Sequence, residues 1–314
     1  MALELIDSYP WFLNKPLPLA VNEQIIKTRI TATEWVEHWR PFLARLLVMY
    51  QASRPRRFIV GIAGPPGAGK SVFAEQLNWM VGKGFLAKDA HSMSLPMDGF
   101  HYPNAYLLSH TRKLADGTEI PLSSVKGQPD TFDIASMRKA LKELAARPEY
   151  VEWPGYTRVT HEPIPGKIKI HSSINIVFVE GNYLLVDRGA FAGIPGIFDL
   201  RIYIDGPAPK ILSNLMERHI KGGKSVQDAK DWVKRIDLPN ARVAESTKVN
   251  ADVIIERNHE DDLSLVLWRE DIDKHAAAKA AGAAAVQGAK HGSAAGNVAI
   301  PGAEPAPKNV PPAG

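Results

Sequence analysis

Apolar positions recur at helical spacing over residues 35–50, where Trp35, Trp39, Phe42, Leu43, Leu46, Leu47 and Tyr50 share one face. Thr31 and Glu34 just ahead have the spacing of a capping box, with the threonine as cap and the glutamate reaching back. Pro41 inside the pattern predicts a kink or a restart of the helix. Residues 58–63 are apolar throughout and predict a buried strand. Residues 71–81 predict a helix with Val72, Phe73, Leu77 and Met80 inward, and 91–97 a short strand ending at Asp98. Asp133 caps a helix running to about Ala146. Residues 174–179 give the strongest strand signal, followed by Glu180-Gly181-Asn182. Another strand over 200–204 is closed by Asp205-Gly206-Pro207, helices are expected over 209–221 and 225–236, and Val253-Ile254-Ile255 is a last strand. Strands alternating with helices predict an α/β protein with a central, mainly parallel sheet covered on both faces. Strands that are apolar nearly throughout agree, because such a sheet buries both sides. From Ala276 onward alanine, glycine and proline dominate without one aromatic residue, which predicts a disordered tail over 276–314.

The chain has 314 residues, a formal net charge of +4 and no cysteine, which excludes disulfides and thiolate metal sites. Its basic residues are scattered, and no concentrated stripe points to a nucleic-acid partner. The first residues carry Glu4 and Asp7 and no apolar core run, unlike a signal peptide, and no stretch approaches the ~20 apolar residues of a membrane span. The expectation is a soluble, cytoplasmic protein.

Chemistry enters with Gly64-Pro65-Pro66-Gly67-Ala68-Gly69-Lys70-Ser71, which closes the first apolar strand and opens a helix. The run fits G-x-x-x-x-G-K-[ST] through Gly64, Gly69, Lys70 and Ser71. Glycines let the backbone turn tightly, so that several N–H groups point at phosphate oxygens, and the helix start adds its positive dipole end. Lys70 brings a mobile point charge for the β- and γ-phosphates, and the Ser71 hydroxyl is a hard oxygen suited to magnesium. The candidate nucleotide-binding set is therefore Gly64, Pro65, Pro66, Gly67, Ala68, Gly69, Lys70, Ser71 and Val72, with ATP and Mg2+ as the implied cofactors.

Two acids stand at strand ends. In a parallel sheet Glu180 faces the crevice beyond the carboxyl edge, where it can bind magnesium through water or position phosphates; the same residue also reads as a turn acid. Asp98 can accept the proton of an attacking hydroxyl in that crevice, or simply form an Asp-Gly turn with Gly99.

The combination of Gly64–Ser71 with Asp98-Gly99-Phe100-His101-Tyr102-Pro103-Asn104 resembles the superfamily of P-loop kinases that contains uridine kinase, phosphoribulokinase and type I pantothenate kinase, with the second segment most similar to pantothenate kinase and its bacterial relatives. Further similar segments are 128–133, the hairpin at 151–165, 179–185, 202–205 with Arg218-His219, and 237–241. The resemblance covers roughly residues 57–256. It implies a P-loop NTPase three-layer fold over residues 57–260 with a helical lid at about 209–245, and the helical pattern ahead of it predicts a helical extension over 1–56. It implies Asp98 as general base, Lys70 on the phosphates and Arg218 as a lid arginine on the transferring phosphoryl group. Tyr156, Arg158, Asn182 and Asn240 would line the acceptor pocket, with His101 and His161 nearby.

The chain departs from both named patterns. Where pantothenate kinase has Tyr-x-His, this chain has Tyr156 and Arg158; Leu215 stands where its lid helix carries an aromatic; and His101 follows Phe100 where uridine kinase has tyrosine. Arg158 and His161 suggest an acceptor with hydroxyls or a negative charge. The sequence thus predicts an ATP-dependent kinase acting on a hydroxyl of a sugar, nucleoside or pantothenate-like small metabolite, possible also as a homodimer, with a non-kinase ATP-binding switch or regulatory ATPase as the alternative.

Overall fold

The computed structural model describes residues 10–271. The expectation of a disordered tail over 276–314 lies outside the described residues, as do residues 1–9. The first element is a hairpin absent from the sequence reading, β1 (Leu17–Val21) and β2 (Gln24–Thr28), joined by Asn22 and Glu23. A capping box follows as expected. Thr31 Oγ1 accepts from the Glu34 N–H at 3.1 Å, and the Glu34 carboxylate accepts from the Thr31 N–H at 3.2 Å. The helix then runs into α1 (Arg40–Ser53) without a break. Pro41 brings no N–H, and instead of a restart the turn ahead of it, Trp35–Trp39, widens so that the Arg40 N–H reaches the Trp35 carbonyl.

The central sheet contains β3 (Phe58–Ala63), β4 (Ser92–Pro96), β9 (Ile176–Glu180), β10 (Leu200–Asp205), β11 (Val253–Arg257) and β12 (Leu263–Trp268). Their order is β4-β9-β3-β10-β11-β12, parallel except for the antiparallel edge strand β12. Every residue of β3 and β9 is buried, as two-sided coverage demands. Between these strands come α2 (Lys70–Gly82), α3 (Asn104–Ser109) and α4 (Ile134–Ala146), whose cap is the expected Asp133. A small hairpin pairs β5 (Thr111–Lys113) with β6 (Glu119–Pro121), and a long one pairs β7 (Tyr150–Thr157) with β8 (Glu162–His171). After β10, α5 (Ala208–Lys221), α6 (Val226–Trp232) and α7 (Leu238–Glu245) span the predicted lid.

α1 with the widened turn ahead of it, β1 and α2 bury Trp35, Trp39, Phe42, Leu19 and Phe73 against the sheet, with Trp39 stacked on Phe73 at 5.2 Å. β3 lies between β9 and β10, which follow it much later in the chain. Strand order therefore reverses at β3, and its carboxyl end is where ligands bind in such sheets.

Candidate active site

The glycine-rich turn leaves β3 at that reversal. Gly69 adopts φ +84°, and a Cβ there would stand 2.4 Å from Arg257 Nη1, so the position admits only glycine. Lys70 opens α2, is buried, and donates to the Pro65 carbonyl at 2.9 Å. Burial pushes its ammonium down to about 8, against the opposing pull of Glu180. The next residue, Ser71, donates its hydroxyl to Glu180 Oε1 at 3.0 Å. Burial, reinforced by the Asp98 charge, raises Glu180 above the usual carboxylate range. A turn whose glycines have no room for side chains, a lysine at its helix and paired hard oxygens fit a nucleotide triphosphate with magnesium.

Asp98 sits in a single 3₁₀ turn, Met97–Phe100, immediately after β4. Gly99 lets β7 press onto that turn, since a Cβ there would lie 2.1 Å from the Pro154 carbonyl oxygen. Trp153 fixes the same contact by donating its indole N–H to the Pro96 carbonyl at 2.9 Å. The hairpin therefore carries Tyr156 and Arg158 to the Asp98 rim. Arg158 Nη2 lies 3.9 Å from Asp98 Oδ2, and the Asp98 charge acts on Lys70, Glu180 and Tyr156 alike. Burial, then that charge, pushes the Tyr156 phenol up.

His101 is buried against Phe132, 3.8 Å between ring centres, and 5.3 Å from Tyr156. Its Nδ1 stands 2.9 Å from the Asp98 carbonyl. A carbonyl only accepts, so Nδ1 carries the proton and Nε2 is left as an acceptor. Burial lowers its pKa despite Asp98. His161 is at the exposed tip of the β7–β8 hairpin with φ 54°. Partial desolvation of its ring, then the cations Lys126, Lys224 and Arg158, hold it below its usual range.

Lys126 was not singled out by the sequence reading, and it stands at the centre of this rim. Its Nζ donates to Asn104 Oδ1 at 2.6 Å and to the His161 carbonyl, and lies 5.6 Å from the Tyr156 ring centre. These partners are 22 and 35 residues away in sequence, so no local motif announces it.

Of the remaining predicted residues, Arg218 is within electrostatic reach of Lys70, Arg158 and Asp98. Asn240 is buried and donates its amide to the Gly127 carbonyl at 3.0 Å, beside the Tyr183 hydroxyl on the same oxygen. Asn182 is half-buried just past β9. Arg218 projects from α5 and pairs with Asp237 at 3.2 Å, whose other oxygen holds His219 Nε2 at 2.6 Å. The α5 helix itself lies on the glycine-rich turn. Asn214 donates to the Gly67 carbonyl at 3.0 Å, and Leu215 is packed where a Cβ on Gly67 would meet it.

The family model of the phosphoribulokinase / uridine kinase family matches residues 59–264. The chain belongs to that family. Over 248 residues it is 30% identical to the Escherichia coli K12 protein YggC, itself uncharacterised, covering 78% of this chain and 96% of that protein. It is 31% identical over 166 residues to the pantothenate kinase of Halalkalibacterium halodurans, 51% of this chain and 49% of that enzyme, so the match spans about half of each. The crystal structure of a candidate fructose transport system kinase from Silicibacter sp. TM1040 superposes with a TM-score of 0.56 at 27% identity, covering 68% of this chain and 98% of that one. The chain is an ATP-dependent phosphotransferase of the P-loop α/β kinase fold, acting on a hydroxyl.

Proposed function

We propose that the enzyme phosphorylates a hydroxyl of a small metabolite that also carries an anionic group, in the manner of a sugar phosphate or a hydroxy acid. The observation that supports this reading is the setting of Asp98. It is a half-exposed carboxylate in electrostatic reach of Lys70 and Glu180, beside a rim made of Arg158, Lys126 and His161. A neutral acceptor needs no such pair of cations as Arg158 and Lys126, beside which His161 is held toward its neutral form. An anion bound against Lys126 and Arg158 would hold its hydroxyl toward Asp98.

ATP, bound with magnesium at Gly64 to Val72, would supply the γ-phosphoryl group and an electrophilic phosphorus for an in-line displacement. Ser71 and Glu180 would hold the magnesium, Ser71 directly and Glu180 directly or through water. Asp98 would take the proton from the acceptor hydroxyl. Lys70 would exchange the Pro65 carbonyl for phosphate oxygens. Arg218 would exchange part of its contact with Asp237 for the transferring group as α5 and its neighbours close, and closure would keep water out.

An ATP-consumption screen with product mass tests the acceptor. It should respond to phosphorylated sugars or hydroxy acids and not to their neutral counterparts. Asp98→Asn should lower transfer about 10²–10⁴-fold, the range of a general base, while ATP affinity is retained. Transfer that survives Asp98→Asn at wild-type rate would remove Asp98 as the general base, whereas ATP binding with no acceptor phosphorylated by the wild type would favour an ATP-binding switch.

A further inference from the structure

The family match begins at residue 59, yet part of the cavity beside the catalytic residues is built by the chain before it. A cavity of about 190 Å3 is lined by Ser71, Glu180, Tyr156 and Lys167 together with Val21 and Asn22. Val21 ends β1, whose Leu17, Leu19 and Val21 are buried in the core, so the strand is fixed from behind. Asn22 and Glu23 have φ of 50° and 66°, the two positive values of the tight turn that joins hairpin strands with their natural twist. The Glu23 carboxylate then accepts from Lys167 Nζ at 2.6 Å, across 144 residues of sequence. The Lys167 stem lies over Gly155, in the space a side chain there would fill, at the point where the β7–β8 register shifts. Glu23, Lys167, Gly155 and Tyr156 thus form one continuous edge from the N-terminal hairpin to the catalytic rim.

We propose that the N-terminal hairpin is the outer wall of the catalytic cavity, and that Glu23 is a positioning residue that closes this wall through Lys167 and keeps water from the phosphoryl donor. This rests on the kinase reading above. A kinase must favour the acceptor hydroxyl over water, and a gap between the hairpins would let water reach the γ-phosphorus. Water attack there forms a P–O bond, breaks the bond to the β-phosphate oxygen, and yields ADP, inorganic phosphate and a proton.

The test uses the full chain, Mg·ATP and no acceptor, with Glu23→Gln, Lys167→Met and the charge swap Glu23→Lys with Lys167→Glu. Phosphate release should rise two- to fivefold in each single variant, the range an exposed ion pair can supply, with KM for ATP unchanged. The swap should return it to the wild-type rate. Hydrogen exchange of the nucleotide-free protein should rise by a similar factor at the β7–β8 amides around 155 and 167 in the single variants only. Unchanged phosphate release, or a swap that restores nothing, overturns the wall even if exchange rises, because a purely structural link would loosen the hairpins without changing hydrolysis. A wild-type chain that binds no Mg·ATP would sink the kinase reading and the wall with it. Failure of the variants in an active enzyme sinks the wall alone.

Discussion

At the scale of single residues, legibility depended on whether a side chain's partners were close in sequence. Lys70 and Ser71 belong to one contiguous phosphate-binding pattern, and Asp98 and Glu180 stand at the carboxyl ends of apolar runs, so all four were nameable before any fold was known. Asn240 came through resemblance, and its amide is tied to the Gly127 carbonyl. Lys126 could not be found that way, because in sequence it is one lysine between Val125 and Gly127, and its setting is made by Asn104, Tyr156 and His161. Burial comes first and lowers its pKa, against the pull of Glu162 and Asp98. Its charge is therefore held in place by two neutral oxygens, with a third proton to offer. Lys126→Gln is expected to raise KM for the proposed anionic acceptor about 10–100-fold, the worth of one hydrogen bond to a charged group, with KM for ATP unchanged. Steady-state kinetics with both substrates varied would show it. A fall in kcat alone would place Lys126 in the chemistry instead of the binding of the acceptor.

At the scale of elements, periodicity found the helices and the buried strands but missed the strands that are not two-sided. β2 is exposed along nearly its whole length and carries no alternation, and its turn is Asn22-Glu23, where the usual hairpin signal would have glycine second. β12 is half-exposed at the sheet edge. One residue joins a visible element to a missed one. Glu34, read from sequence as half of a capping box, also accepts from the Trp39 indole at 2.9 Å and from the Leu263 N–H of β12 at 2.9 Å. Thr31→Ala should therefore cost about 1 kcal/mol, the loss of one cap. Glu34→Ala should cost about 2–4 kcal/mol, because three buried or half-buried donors lose their acceptor together. Denaturant titration of the two variants tests the order, and equal losses would mean the glutamate does no more than cap. The helices α5 to α7, the proposed lid, make a parallel case. Buried Asp237 holds both Arg218 and His219, so Asp237→Asn should weaken the link between α5 and the helices after it. The expected result is a kcat lowered about tenfold with KM for ATP little changed, since lid and hinge positions act on closure and on the placing of the phosphoryl group. Unaltered kcat would show that Arg218 reaches its working position without that anchor.

At the scale of the whole molecule, the alternation of strands and helices was enough to predict a parallel sheet, and the glycine-rich turn was enough to say which strand leads into the site. The order β4-β9-β3-β10-β11 was not in the pattern, because neighbours in the sheet are set by tertiary packing between segments far apart in the chain. That order is what brings Ser71 to Glu180 and the Arg257 guanidinium under Gly69. Nucleotide binding should consequently be felt by the fold as a unit. At a hundred times its Kd, Mg·ATP stabilises a one-site protein by about 2.7 kcal/mol. For a domain of this size that is a rise in Tm of about 5–10 °C. Gly69→Ala should abolish the rise, since its Cβ would meet the buried Arg257 Nη1, which has no free space to retreat into while its Nη2 donates to Gln76 at 2.9 Å. Asp98→Asn should keep the rise in full if, as proposed, that carboxylate serves the acceptor, since removing its negative charge beside Lys70 leaves the phosphate cradle in place. Differential scanning fluorimetry of the three proteins with Mg·ATP, read beside their transfer rates, separates binding from chemistry. If Asp98→Asn lost the thermal shift together with the activity, Asp98 would be part of the nucleotide site, and the division of labour between the turn after β3 and the turn after β4 would have to be redrawn.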